Sequence, residues 1–569
     1  MSTDPGPVRP LRGVVPYPPE VAARYRAAGL WQPGSIPQRL REVAAANAPR
    51  RAVVTASGTL SYADLDARTD AVAAGLLALG LRPGERVLLQ VTNSQAAILL
   101  WYGLLKAGLI PVCTLAIHRR HEIAEIGRQT GAVAHVIQAD FGGYDLAGLA
   151  EQMRAERPEL RLVISAGAAA GGPYPRVEDL ADRPVSEAER ARLLAMAAGL
   201  RDDDVAVLQL SGGTTGVPKV IPRLHAEYWY NAWATSRWWG HGPDSLLAMA
   251  LPFVHNAGLS NALHAAHAVG GAILLGLPPA GVILPLMAEH GATWTLTSPG
   301  LAAEYLKHPG FDAAVARLDS MMLSAARVPQ GVFDALTARG VHVTQAFGMT
   351  EGLFSFTPRD ASPAVRAQTL GRPISPHDEI RVLVPGRDEE VPPGEAGELA
   401  ARGPYTIRGY LDAPGRNAEA FTADGFYRSG DLVRLAGIGG ERWLVLAGRV
   451  KDLINRGGEK INAEEIEGLL SRHPGVREVA VVAMPDERLG ERACAYVVAA
   501  DPEQPPGLAD LTQHLDDLGV AKYKWPERVE VIGELPRTAI GKVTKAALRT
   551  DVRRRMGLAQ PSQDGLTVG

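Results

Sequence analysis

Val205-Ala-Val-Leu-Gln-Leu210 runs straight into Ser211-Gly-Gly-Thr-Thr-Gly-Val-Pro-Lys219. The first six residues form a short apolar run, the pattern of a buried strand. The nine that follow place three glycines (Gly212, Gly213, Gly216) and three hydroxyl side chains (Ser211, Thr214, Thr215) ahead of Lys219. Backbone N–H groups, hydroxyls and an ammonium gathered in this way can neutralise a polyphosphate. The common NTPase loop requires Gly-x-x-x-x-Gly-Lys-Ser/Thr. Here Pro218 stands where its last glycine would be, and Val220 follows the lysine. The cradle is of a different kind, and taken alone it also fits a plain flexible surface loop.

Further apolar runs of strand length occur at 86–91, 133–138, 160–165, 246–251, 272–275 and 321–324, with helical patterns at 63–79 and 301–307. Strands alternating with helices predict α/β layers with mostly parallel sheets. Such folds bind ligands at the carboxyl ends of strands, where the Ser211 loop falls. After about residue 380 the texture changes to shorter strands and turns (Pro392-Pro-Gly-Glu, Ala423-Asp-Gly), predicting a small β-rich subdomain. Strands at 476–483 and 493–499 with a helix at 508–518 predict a compact α+β unit at the end. This reading gives a large N-terminal domain over 1–448 and a small mobile domain over 449–559. A hinge is expected in Gly448-Arg-Val-Lys-Asp452, and a disordered tail at 560–569.

At 569 residues the chain is too long for one core. Its 46% hydrophobic and 21% charged residues are ordinary for a globular protein, and a net charge of −3 gives no reason to expect nucleic acid or an anionic membrane as partner. Only Cys113 and Cys494 occur, each in an apolar strand-like run, so they are expected to be buried structural thiols. With no disulfide framework and a polar N-terminus unlike a signal peptide, a cytoplasmic location is expected. The most apolar window, 97–116, contains Lys106 and Pro111 and reads as a buried helix entering a buried strand rather than a membrane span.

Five further stretches turn the loop into an ordered pattern. They are Gln345-Ala-Phe-Gly-Met-Thr-Glu-Gly352, Tyr405-Thr-Ile-Arg-Gly-Tyr410, Tyr427-Arg-Ser-Gly-Asp-Leu432, Gly448-Arg-Val-Lys-Asp-Leu-Ile-Asn-Arg-Gly-Gly-Glu-Lys460 and Pro536-Arg-Thr-Ala-Ile-Gly-Lys542. Their order and spacing resemble the adenylate-forming superfamily of acyl-CoA synthetases, peptide-synthetase adenylation domains and luciferases, over nearly the whole chain. Within it, residues 18–31 and 208–223, the pair His255-Asn256 and Asn455-Arg-Gly-Gly-Glu-Lys460 resemble stand-alone aryl-acid–AMP ligases of the 2,3-dihydroxybenzoate and salicylate type. Those enzymes feed siderophore and related nonribosomal peptide synthetases.

The resemblance implies a division of labour. Ser211–Thr215, with Gly216 closing the loop, and Lys219 would shield the β- and γ-phosphates of ATP. Phe347 and Gly348 would line the nucleotide site, Thr350 would touch the α-phosphate, and Glu351 would hold Mg²⁺, a hard cation that suits a carboxylate. Asp431 would bind the ribose hydroxyls, with Arg449 in support. Lys542 would bridge substrate carboxylate and α-phosphate as charge builds. After adenylation the small domain would rotate about Lys451, and the Gly457-Gly458 face would line a tunnel for the thiol. No Gly-Gly-x-Ser phosphopantetheine site follows Lys542. The acceptor is therefore expected to be an aryl carrier protein acting in trans, or coenzyme A.

The acid pocket is assigned to His255, Asn256, Ala257, Asn261, Ser324, Ala325 and Ala346. Amino-acid-activating relatives place an aspartate near the start of this pocket, whereas Phe253–Asn261 contains no acid. An ammonium buried there would be unpaired, which favours a neutral aryl acid. Asn256 can donate to and accept from an ortho-hydroxyl. Four departures from the dihydroxybenzoate pattern stand out. Ala257 replaces an aromatic, Asn261 a serine and Ala346 a valine, and the floor reads Ser324-Ala325-Ala326 rather than Gly-Gly-Ala. An ortho-hydroxy acid other than plain 2,3-dihydroxybenzoate is expected, such as a methylated salicylate, 3-hydroxyanthranilate, 3-hydroxypicolinate or 3-hydroxyquinaldate. The alternatives are an aromatic or fatty acyl-CoA ligase, a luciferase-type oxygenase, and an inactive nucleotide-binding scaffold; four intact residues, Lys219, Glu351, Asp431 and Lys542, argue against the last.

Overall fold

Val205–Ser211 lies beside Ile110–Val112 in a six-stranded sheet ordered Leu162–Ala166, Ala134–Gln138, Arg86–Gln90, Ile110–Val112, Val205–Ser211 and Lys219–Leu224. The first five strands are parallel, and the last is an antiparallel edge. The computed structural model describes residues 11–167, 171–211, 219–324, 328, 330–449, 453–536, 543 and 545–558. Ser211 pairs with Lys219 across the edge. The strands on either side of the glycine-rich stretch are therefore antiparallel neighbours. The strand Lys219–Leu224 has no counterpart in the sequence reading. Pro222 removes a ladder donor, which an edge strand tolerates.

A nine-stranded sheet carries the rest of the large domain. Its parallel centre runs Val343–Met349, Ser320–Leu323, Trp294–Thr297, Leu246–Met249, Ala272–Leu275 and Arg51–Thr55. These strands are buried on both faces, so they read as continuous apolar runs. Helices Tyr62–Ala78 and Gln95–Lys106 share one core with both sheets. They approach so closely that a Cβ on Gly103 would sit 2.4 Å from Val72 Cγ1. Ser61 caps the first through a reciprocal bond with Asp64, and Ser94 caps the second.

Lys106, in the most apolar window, is buried with its Nζ 2.5 Å from Asp66 and 2.8 Å from Asp70. The window splits, as read, into the helix ending at Lys106 and the strand Ile110–Val112. Among the described residues no helix is long and apolar enough to cross a membrane. Cys113 and Cys494 are both free and buried. Cys494 lies in the strand Gly490–Ala499, whereas Cys113 falls just after its strand. Burial pushes both thiols up, Cys494 to about 12.

The β-rich region is a four-stranded antiparallel sheet of Glu379–Leu383, Gly397–Arg402, Tyr427–Ile438 and Glu441–Arg449. Gly448 and Arg449, expected at the hinge, still belong to its last strand, opposite Leu432 and Asp431. A five-stranded sheet follows, built on the long pair Val476–Asp486 and Gly490–Ala499. Helices Ala463–Leu470 and Leu508–Asp517 contribute to one of its cores, and Lys545–Arg555 to another. This unit meets the large domain through charge. Lys524 Nζ, held at 2.9 Å by Glu465 of its own unit, lies 3.2 Å from Glu122, Arg119 pairs with Asp516, and Arg488 lies 3.1 Å from Glu304.

Candidate active site

Parallel strands ending together gather the candidate residues at one edge. Leu246–Met249 leads to His255 and Asn256, Ser320–Leu323 to Ser324, and Val343–Met349 to Thr350 and Glu351. The last of these strands folds back onto Gly352–Phe356 through an irregularity at Gly348/Met349, so Thr350 and Glu351 form the turn. Gly348 is required there because a Cβ would sit 2.1 Å from the Phe354 ring. Ser324 Oγ donates to the Ala346 carbonyl at 3.2 Å, joining two predicted pocket residues.

Lys219 and Glu351 are joined by a residue to which the sequence reading assigned no role. Lys219 Nζ donates to Tyr410 Oη at 3.0 Å and sits 4.6 Å from the centre of that ring. The Tyr410 hydroxyl donates to Glu351 Oε1 at 2.8 Å, and Tyr427 Oη stands 3.0 Å away. Burial, the Glu351 charge and Tyr427 raise Tyr410 far above the ordinary phenol range, so it stays a neutral donor. Ser211 ends its strand with a buried Oγ that has no partner among the described residues.

Arg223, fully buried, is a second organiser. It forms a two-pronged pair with Glu227 at 2.9 and 2.7 Å. Its remaining donors reach the Thr350 carbonyl at 2.8 Å, the Tyr405 carbonyl at 3.1 Å and Asn256 Oδ1 at 3.2 Å. Asn256 is thus held on both sides, Oδ1 accepting from Arg223 and Nδ2 donating to the Met349 carbonyl at 3.5 Å, which leaves one lone pair and one amide N–H to read a ligand hydroxyl. The signal for this pair was present, since Arg223 and Glu227 stand four apart where a strand enters the helix His225–Trp239.

His255 faces the small domain. Its Nε2 lies 3.8 Å from Glu459 Oε1. Glu459 follows Gly457 and Gly458, whose φ values of 58° and 100° make the tight hairpin turn that two glycines allow. Burial pushes the Glu459 carboxyl up, but the neighbouring His255 and the charges of His118 and Lys524 outweigh it and hold the group below its ordinary value. The 253–261 stretch lacks an acid of its own, and one arrives from the other domain.

Asp431 and Arg449 are opposite one another on paired strands, and Ser429 Oγ accepts from the Asp431 N–H at 3.1 Å. Asn256, Ala257 and Asn261 lie on one helical stretch that passes into a π-helical turn, Leu259–Leu263. Gly212, Gly213, Thr214, Thr215, Gly216, Ala325, Lys451, Lys542 and the tail 560–569 lie outside the described residues.

Residues 40–411 match the AMP-binding enzyme family, and residues 465–542 match the AMP-binding enzyme C-terminal domain. A 2,3-dihydroxybenzoate-AMP ligase of Bacillus subtilis (strain 168) is 38% identical over 96% of this chain and 99% of its own. A salicylyl-CoA synthase / salicylate adenylyltransferase of a Streptomyces species is 40% identical over 95% and 98%. Among solved structures, apo MbtA of Mycobacterium smegmatis is similar, with a TM-score of 0.71 and 37% identity over 95% of this chain and 98% of that one. The chain belongs to the AMP-binding enzyme family, the adenylate-forming enzymes.

Proposed function

We propose that this enzyme activates an ortho-hydroxy aryl carboxylic acid with ATP and passes it to a phosphopantetheine thiol on a separate carrier protein. The observation that carries this reading is the meeting, at one strand edge, of the Lys219–Tyr410–Glu351 cluster with Asn256 in a pocket stretch that has no acid of its own. A carboxylate oxygen of the acid attacks the α-phosphorus, the bond from that phosphorus to the α,β-bridging oxygen breaks, and pyrophosphate leaves. Lys219 neutralises phosphate oxygens, Thr350 and Lys542 hold the reacting oxygens in line, and Asp431 fixes the ribose. The thiol then attacks the acyl carbon of the mixed anhydride and AMP departs.

Glu351 fits a Mg²⁺ ligand, and the bound ion would neutralise phosphate charge. Among the described residues no group of three or more His, Cys, Asp or Glu is placed to cage a metal. The ion would therefore take its other ligands from phosphate and water. Peptide-synthetase and siderophore assembly is the setting that suits such an enzyme, and the cytoplasm its compartment. The acceptor is tested by supplying pre-made aryl-AMP with either a phosphopantetheinylated carrier protein or coenzyme A. Loading of the protein thiol with little turnover of coenzyme A supports the reading, and the reverse preference makes the enzyme an acyl-CoA ligase.

A further inference from the structure

Helix His225–Trp239 packs across the π-helical turn Leu259–Leu263 and the helix His264–Ala268. Four contacts set the alignment. The Tyr228 ring meets His264 edge-on at 5.5 Å, and Trp229 lies 6.1 Å from the same imidazole. Farther along, Thr235 Oγ1 donates to Asn261 Oδ1 at 3.2 Å and Ser236 Oγ donates to the Ala265 carbonyl at 2.6 Å. Asn231 stands three residues after Tyr228 and four before Thr235, hence on the same face of the helix. The neighbours of Asn231 on that face, Tyr228 and Thr235, meet His264 and Asn261.

The Asn231 carboxamide has no exposure, and neither Oδ1 nor Nδ2 has a partner among the described residues. His264 is equally buried. Its Nε2 accepts from the Trp101 indole N–H at 2.9 Å, so the proton of the neutral ring sits on Nδ1, which also has no partner. Burial, helped by His267 and His225, pushes His264 down to about 3 and keeps the ring neutral. Buried polar groups left unmet are costly and rare, and three such atoms belong to these two packed segments. The segments adjoin the acid pocket. Asn261 is one turn beyond Ala257, and Ser260 Oγ ties the turn to the Asn256 carbonyl at 2.6 Å. Ala257 and Ala346, both small and half-buried, pack on the same core.

We propose that the Asn231 carboxamide and the His264 Nδ1–H form the inner end of the acid pocket and read a second ring hydroxyl, remote from the carboxylate. A hydroxyl suits the spot because it donates to Asn231 Oδ1 while accepting from an N–H of Asn231 or His264. This inference rests on the aryl-acid reading above. It adds Asn231 and His264 as specificity-determining residues and names the substrate class as a polyhydroxylated aryl acid.

The test is ATP–pyrophosphate exchange with salicylate, with 2,3-, 2,4- and 2,5-dihydroxybenzoate and with a dihydroxynaphthoate, on the wild-type enzyme and on Asn231→Leu. Wild type should favour one hydroxylated acid over its unhydroxylated parent by about tenfold in kcat/KM, the worth of one buried hydrogen bond. Asn231→Leu should erase that preference through KM, leaving salicylate exchange unchanged or improved. Should Asn231→Leu fail to fold, Asn231→Ser, which keeps a shorter hydroxyl, should retain part of the preference. Salicylate turned over as well as every hydroxylated acid, or a parallel loss on all acids in a folded variant, overturns the proposal alone. Silence of folded wild type on every aryl acid overturns the aryl-acid reading with it.

Discussion

Lys219 and Glu351 meet through a single phenol oxygen, Tyr410 Oη, which lies 3.0 Å from the ammonium and 2.8 Å from the carboxylate. The hydroxyl fixes the spacing of the cation assigned to the phosphates and the carboxylate assigned to the metal. Tyr410→Phe keeps the ring and removes the bridge. Catalytic efficiency toward ATP should fall about tenfold, the worth of one charge-assisted bond, with Tm almost unchanged. Exchange kinetics measured against ATP concentration check this, and wild-type values would show the bridge to be incidental.

Arg223 carries a structural burden. Removing it leaves the Glu227 carboxylate buried without its partner, and burial already pushes that group up despite the arginine. Arg223→Met should cost about 3–5 kcal/mol, whereas the double change Arg223→Met/Glu227→Leu should recover much of that loss. Denaturant unfolding of both variants checks the pair. The double variant should still lose activity, because Asn256 and the Thr350 carbonyl lose their shared donor.

The His255–Glu459 contact joins the two domains in the arrangement described. Glu459→Gln should slow thiol transfer and leave adenylate formation near wild type, each half-reaction being assayed separately. The pH sign follows from the direction of the shift. Glu459 is held below its ordinary value in the folded protein, so its contribution is present above that value and is lost as pH falls through the lowered one. Transfer should therefore weaken on acidification before adenylation does, and the variant should not show that difference.

Lys542→Ala should cut adenylate formation by about a hundred- to a thousandfold, typical for loss of one donor aimed at developing charge. Transfer from pre-made adenylate should survive. Equal loss of both half-reactions would refute the role assigned to this lysine.

The legible parts of the fold are those whose physics is local. Buried parallel strands such as Ala134–Gln138 and Ala272–Leu275 show as apolar runs, and capped helices such as Tyr62–Ala78 show their period. Lys219–Leu224 escaped because Pro222 and two basic residues break the apolar pattern of an edge strand. Within the site, residue types named by motif could be placed. Tyr410 lacked a role because its partners, Lys219 and Glu351, come from other elements. Glu459 reaches His255 only once two separately folded cores dock. Asn231 carries no motif at all, and only its burial without partners draws attention to it.

The most direct test of the central claim is ATP–pyrophosphate exchange across a panel of aryl, fatty and amino acids with the intact chain and Mg²⁺. The expected result is exchange that depends on an ortho-hydroxy aryl acid, with aryl-AMP recovered as product. Exchange driven by fatty or amino acids instead, or none with any acid in folded protein, would contradict it.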